Sequence, residues 1–231
     1  SLVMCGRYAA NRDTGTLTEV FNIKKLPEEL LEPNFNISPT LKSYVVTQNQ
    51  DEERSLNVMS WGLVPSWAKD NSMMAKMINA RFETVEEKPS FRSAFIKRRC
   101  IIPMDGYYEW FRPENPKEKK QPYFIKAKDK PLLAVAGIYE SWKNPNQENE
   151  ILTTFSVITT DAKLGLESIH DRMPVIVPDK NWNAWLDPEF QNKEEIKKLI
   201  VTPPQGYFEY FKVGLEVNNA RNNGPHLMKA I

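Results

Sequence analysis

The residues best suited to covalent chemistry stand near the start of the chain, in Met4-Cys5-Gly6-Arg7-Tyr8. If the natural chain begins at Met4, with Ser1-Leu2-Val3 an expression scar, the small Cys5 permits removal of the initiator methionine and becomes the first residue. An N-terminal cysteine carries two nucleophiles on adjacent carbons, an α-amine with a pKa of about 7.7 to 8 and a thiol near about 8.5. Such a pair traps aldehydes. The amine forms an imine and the thiol closes on it to give a five-membered thiazolidine, helped by high effective molarity. The competing reading is a small hydrophobe in the core, because free cysteines are among the most buried residue types.

Three further groups carry reactive or anion-gripping side chains. In Asn79-Ala80-Arg81-Phe82-Glu83 the polar residues alternate with apolar ones, so an extended backbone puts Asn79, Arg81 and Glu83 on one face. Asn offers a donor and an acceptor together, and Arg a forked clamp for phosphate or carboxylate; the plain alternative is the solvated face of a strand. In Gly106-Tyr107-Tyr108-Glu109-Trp110 a single acid sits among aromatic residues, where desolvation would raise its pKa and suit it to proton shuttling, unless it points to water. In His170-Asp171-Arg172-Met173-Pro174 stands the one histidine suited to acid–base work, since the other, His226, lies in a Gly- and Pro-containing tail. The loops around Pro39 and Trp67 offer surfaces on which bases could stack, or simply turns and packing, and Lys97-Arg98-Arg99 could meet phosphates or form a solvated helix end.

A chain of 231 residues with 41% hydrophobic and 26% charged residues is long enough for a real core and excludes disorder, collagen and coiled coil. No run approaches the roughly 20 apolar residues of a membrane-spanning helix, and no signal peptide is visible, so the expectation is a soluble intracellular protein. Two cysteines, Cys5 and Cys100, are expected as free thiols, and the Cys/His spacings of structural zinc are absent; no metal or other cofactor is expected. The formal charge of +1 falls short of the usual footprint of a nucleic-acid binder.

Seventeen prolines against nine glycines, with aromatic and β-branched runs between them, point to many short strands. Strands are predicted at 43–48, 55–61, 101–111, 122–128, 132–142, 153–160, 173–178 and 208–217. Helices are predicted at 26–31, at 89–98 with Ser90 as cap, at 179–187 with Asp179 as cap, and at 193–201. This order lacks strict βαβ alternation and implies one α+β domain over 4–231, with a mostly antiparallel, barrel-like β core and peripheral helices. The stretches 113–121 and 143–150 read as polar tips between paired strands.

Six motifs in order, Met-Cys-Gly-Arg-Tyr, Asn-Ile-Ser-Pro-Thr, Trp-Gly-Leu-Val-Pro-Ser-Trp, Asn-Ala-Arg-Phe-Glu-Thr, Gly-Tyr-Tyr-Glu-Trp and His-Asp-Arg-Met-Pro-Val, resemble the SRAP family of SOS-response-associated peptidases, or abasic-site processing proteins. The likeness runs from Cys5 to about Asn219. It implies action on abasic sites in single-stranded DNA, with Cys5 as the processed N-terminal residue that crosslinks to the sugar aldehyde, and release of that crosslink as well. Asn79 would hold the sugar and the cysteine amine, Glu109 and His170 would be the catalytic acid–base pair, and Arg81 would grip a flanking phosphate. Arg7, Pro39, Trp67, Trp110, Thr159 and Arg172 fall where the family lines its DNA groove, with neighbouring Thr160 fitting nearly as well as Thr159. The resemblance also implies a monomer working with replication-fork proteins, located in a bacterial cytoplasm at the nucleoid. Two other classes use the same residues: a cysteine peptidase with Cys5 as acyl nucleophile and His170 as base, in line with the family's name, and a non-covalent reader of single-stranded DNA. As the chain stands, residues 1–4 precede Cys5 and tie up its α-amine, which blocks thiazolidine formation until they are removed.

Overall fold

In this computed structural model, which describes residues 5–231, the N-terminal half runs β1 (Tyr8–Ala10), α1 (Thr14–Phe21), β2 (Ile23–Lys25), β3 (Asn34–Ile37), β4 (Lys42–Gln48), β5 (Arg54–Trp61), β6 (Asn79–Arg81) and α2 (Arg92–Lys97). It continues with β7 (Arg99–Met104), β8 (Gly106–Phe111), β9 (Gln121–Ala127), β10 (Leu133–Lys143), β11 (Ile151–Asp161), β12 (Arg172–Pro174), α3 (Trp182–Leu186), α4 (Lys193–Lys197) and β13 (Phe208–Lys212). The expected scar and initiator methionine lie outside the described residues.

Strands β5, β4, β7, β10 and β11 pair in that order, and β11 returns to β5 in parallel at Thr154↔Ser60 and Phe155↔Trp61, closing a mixed five-stranded barrel. The other four pairings around the ring are antiparallel. Beyond the closure, β11 carries β6 in parallel on one edge and β12 antiparallel on the other. A second, wholly antiparallel sheet has the order β13-β9-β8-β1-β3. The fold is α+β with a barrel core, as the residue pattern implies.

Both faces of the barrel strands are buried, and alternation assigns each residue to one of two cores. Val45, Met59, Trp61, Cys100, Ile102, Val135, Phe155 and Val157 join Tyr8, Ile37, Tyr107 and Ile125 of the second sheet in one. Val46, Leu56, Ile101, Ala136, Ile138 and Ile158 face the other, which α1 to α4 cover through Leu17, Phe21, Phe95, Trp185 and Ile196. Strands buried on both sides read as apolar runs, which is why the barrel strands stand out in the sequence.

The differences from expectation have local causes. The run 101–111 is two strands, because Asp105 turns the chain from barrel to second sheet; its carboxylate accepts from the Asn11 backbone N–H and Arg12 Nε, both at 2.7 Å. Residues 26–31 form no helix: Leu26 and Leu30 are 50% and 68% exposed, so six residues would have had no buried face to offset the cost of nucleation. Strand β13 stops at Lys212, and residues 215–218 make a single 3-10 turn. Helix α2 lacks the Ser90 cap and α3 the Asp179 cap; α4 is capped by Asn192, whose Oδ1 accepts from the Glu194 and Glu195 N–H groups. Helix α1, capped by Asp13, is absent from the expected elements, since three threonines and a glycine obscure it.

Candidate active site

Strand β8 positions the acid. Tyr107 pairs with Tyr8 on β1, and Glu109 with Tyr123 on β9, so Tyr107 and Glu109 share the face that looks into the barrel-side core. Glu109 is only 3% exposed, and burial pushes its carboxyl up to about 8 against the opposing pull of one donor. That donor is the backbone N–H of Cys5, 3.2 Å from Oε2. Cys5 itself is buried, in a left-handed backbone conformation with φ of 48°, unusual for a residue with a side chain. Burial, and then the neighbouring Glu109, raise its thiol well above the ordinary range. Cys5 and Cys100 are both free thiols.

The other expected site residues lie on the barrel and the strands at its edge. Asn79, half-buried, and exposed Arg81 lie on β6, registered beside Val157 and Thr159 of β11, so they share those residues' face. Thr159 is buried; its Oγ1 and carbonyl both accept from Arg172 Nη2, at 3.2 and 2.9 Å. Arg172 is buried too, and its guanidinium is held by Glu83 through two bonds of 3.0 and 2.8 Å and by Asp161 at 2.8 Å. A phosphate reaching Arg172 must therefore displace a carboxylate. His170 accepts at Nδ1 from the Arg172 backbone N–H at 3.3 Å, which puts the proton of its neutral ring on Nε2. Burial lowers its pKa, Asp171 opposes this, and Arg112 adds to it, so the ring is neutral at pH 7.

Arg7 and Trp110 face the opposite side of the second sheet from Glu109. The Arg7 guanidinium lies 5.6 Å from the Trp110 ring centre, with Nη1 on Asn36 Oδ1 and the Val217 carbonyl. Burial lowers the Arg7 pKa. Trp110 Nε1 donates to Asn218 Oδ1 at 2.7 Å. Pro39 is half-buried after β3, while Trp67, 67% exposed, lines an apolar cavity of about 300 Å³ with Met73, Met74 and Met77. Neither touches Cys5 or Glu109 through any hydrogen bond or ring contact among the described residues.

Sequence reasoning missed Asn36, which is buried and whose Nδ2 holds the carbonyls of Val217, Asn219 and Asn222 while its Oδ1 holds Arg7. It also missed Tyr107, whose place beside Glu109 follows from the i, i+2 spacing once β8 is accepted. In the basic run 97–99 only exposed Lys97, in the last turn of α2, is the expected solvated helix end. Arg98 pairs with Glu140 at 2.9 Å, and buried Arg99 bonds five backbone carbonyls. Among the described residues, no group of three or more His, Cys, Asp or Glu side chains is arranged to hold a metal, and no helix is long and apolar enough to cross a membrane.

Residues 4–220 match the family model described as SOS response associated peptidase (SRAP). The chain belongs to the SRAP family. It is 40% identical over 228 residues to the abasic site processing protein YoqW of Bacillus subtilis, covering 98% of this chain and all of that one. The abasic site processing protein HMCES of Xenopus tropicalis is 33% identical over 270 residues, covering 99% of this chain and 78% of its own length. Among solved structures, a protein from Bacteroides thetaiotaomicron is 27% identical with a TM-score of 0.86, covering 98% of this chain and 100% of the other. These matches cover the whole two-sheet arrangement.

Proposed function

We propose that this SRAP chain processes abasic sites in single-stranded DNA by forming a covalent crosslink through Cys5 once the residues before it are removed. The observation that carries this reading is the Cys5 N–H on Glu109 Oε2: the nitrogen that becomes the free amine already faces a deeply buried acid. Burial holds the Glu109 carboxyl well above the usual carboxylate range, toward the range in which an α-amine titrates, which suits it to exchanging a proton with that amine.

The sequence of steps follows from these groups. His170, neutral with its proton on Nε2, assists opening of the sugar hemiacetal to the aldehyde. The Cys5 amine, relieved of its proton by Glu109, adds to the carbonyl carbon to give a carbinolamine. Glu109 returns the proton to the departing hydroxyl, water leaves, and the carboxylate takes the N–H proton of the resulting iminium to give the imine. The thiol adds to the imine carbon, its proton passing to nitrogen, and the thiazolidine closes. Asn79 orients sugar and amine from β6. Every step is reversible through the same groups, which accounts for release. Arg81 grips a flanking phosphate, with Arg7, Pro39, Trp67, Trp110, Thr159 and Arg172 along the strand's path.

The raised thiol pKa favours this order over acyl transfer. A cysteine peptidase needs a thiolate made by a paired base, but burial and Glu109 both hold the Cys5 thiol protonated, and no bond joins it to His170 among the described residues. The test is a denaturing gel of single-stranded abasic DNA with protein beginning at Cys5, beside the form beginning at Ser1 and a Cys5→Ala variant. A band stable to SDS is expected only for protein beginning at Cys5. Absence of that band from folded protein with its terminus confirmed by mass would overturn the reading and direct attention to peptide substrates.

A further inference from the structure

The positive charge that a DNA-binding site requires is poorly supplied by the arginines of the candidate site. Arg172 is encircled by two carboxylates, and Arg7 is desolvated and committed to Asn36 and a carbonyl. Only Arg81 of the three presents an exposed guanidinium. With a net charge of +1, the molecule as a whole does not compensate. The turn joining β8 to β9, residues 112–120, does. It holds Arg112, Lys117, Lys119 and Lys120 against Glu114 and Glu118, and all four cations are exposed. None of them enters an ion pair among the described residues, whereas the cations at positions 12, 42, 98, 130, 172, 197 and 198 are each tied to a carboxylate.

Its position is as informative as its charge. The turn continues directly from the strand carrying Glu109 and Trp110, and Phe111 pairs with Gln121 at its base, so its root is fixed to the strand that holds the acid. Its first residue, Arg112, is near enough to His170 for its charge to act on the imidazole. Asn115 closes the tip by accepting the Lys117 N–H on its side chain and the Glu118 N–H on its carbonyl.

We propose that the β8–β9 turn is a phosphate-tracking arm: Lys117, Lys119 and Lys120 contact the backbone of the nucleic acid strand flanking the lesion, and supply affinity that the buried arginines do not. The proposal rests on the reading that this chain binds single-stranded DNA, and it assigns the three lysines no part in the chemistry.

The experiment measures binding of a fluorescein-labelled single-stranded 20-mer with a central tetrahydrofuran, an abasic analogue that cannot open to an aldehyde, so covalent capture does not enter. Anisotropy titrations over a range of salt concentrations compare the unsubstituted protein with Lys117→Gln/Lys119→Gln/Lys120→Gln. A second variant, Lys24→Gln/Lys180→Gln/Lys193→Gln, makes the same change in net charge at exposed residues on other elements. Each phosphate contact on a single strand contributes about 0.7 to the slope of log K against log salt, so losing three lowers the slope by about 2 in the turn variant only. Equal slopes in turn variant and unsubstituted protein, or the same fall in both variants, overturn the proposal. Failure of the broader reading registers separately, as no binding of the 20-mer by the unsubstituted protein.

Discussion

Glu109 has two measurable signatures, one chemical and one thermodynamic. As the proton shuttle for carbinolamine and imine formation, it should be worth roughly 100- to 10,000-fold in crosslinking rate, the usual range for a positioned acid or base. Glu109→Gln in protein beginning at Cys5 is expected to crosslink that much more slowly while still binding the tetrahydrofuran strand; an unchanged rate in single-turnover gel assays removes the shuttle role. The thermodynamic signature concerns the folded state's grip on a proton. The carboxyl ordinarily titrates near 4.5 and in the fold near 8, so between those values the native protein holds a proton that the unfolded chain has released. Stability from this group is full below about 4.5, falls by about 1.4 kcal/mol for each pH step of one through the window, and is lost above about 8. Urea denaturation as a function of pH should show the unsubstituted protein losing stability relative to Glu109→Gln across that window and running parallel outside it. Parallel curves throughout would mean the carboxyl is solvated in solution.

At the level of elements, what the sequence makes legible is set by how far each element's stability is local. Strands β4, β5, β10 and β11 are seven to eleven residues of β-branched and aromatic type, and their residue pattern marks them to within about two residues. Strands β1, β2, β3 and β6 have three or four residues each, and exist because of remote partners such as Tyr8↔Tyr107 and Asn79↔Val157. No local pattern announces such pairing. The chemistry of Cys5, Asn79, Glu109 and His170 is legible as residue types, and their grouping follows from the family resemblance. That the N–H of Cys5 meets Glu109 across 104 positions is not legible. Arg99 shows the same limit from the other side, because a residue that looks like a solvated helix end instead fastens two helices to β7. Its donors reach the carbonyls of Phe95, Ile96, Trp185, Asp187 and Phe190, and burial brings its pKa down to about 10, leaving it charged at neutral pH. Removing five bonds leaves buried carbonyls unpaired, so Arg99→Ala should cost at least about 3 kcal/mol in chemical denaturation. Arg99→Lys should recover only part, because an ammonium has three donors in place of five in a fixed fork. A loss under about 1 kcal/mol for the alanine variant would mean that water replaces the guanidinium without penalty.

The molecule as a whole joins two sheets, and the candidate site belongs to neither alone. Cys5 and Glu109 come with the second sheet, Asn79 and His170 with the barrel and the strands on its edge. Trp61 is one of the side chains that span the join. Trp61, fully buried at the end of β5, meets Tyr8 edge-to-face at 4.9 Å on the side of the second sheet, and its Nε1 donates to the carbonyl of Ile78, the residue before Asn79. It therefore ties the strand that follows Cys5 to the segment leading into the strand that carries Asn79. Trp61→Ala should lose about 3 to 5 kcal/mol, as large aromatic truncations in cores do, and Trp61→Phe less, since it keeps the ring against Tyr8 and gives up only the bond to Ile78. The comparison that matters is with Arg99→Ala, whose damage lies under the helices on the far side of the barrel. At a temperature where both alanine variants remain folded by circular dichroism, the Arg99 variant should crosslink abasic DNA at close to the unsubstituted rate and the Trp61 variant should not. Trp61→Phe should fall between them, because misplacing Asn79 by a fraction of an ångström relaxes the alignment on which attack by the amine depends. Equal crosslinking by the two alanine variants would mean that the sheets hold their relative position without Trp61, and that the site's geometry is set within the second sheet alone.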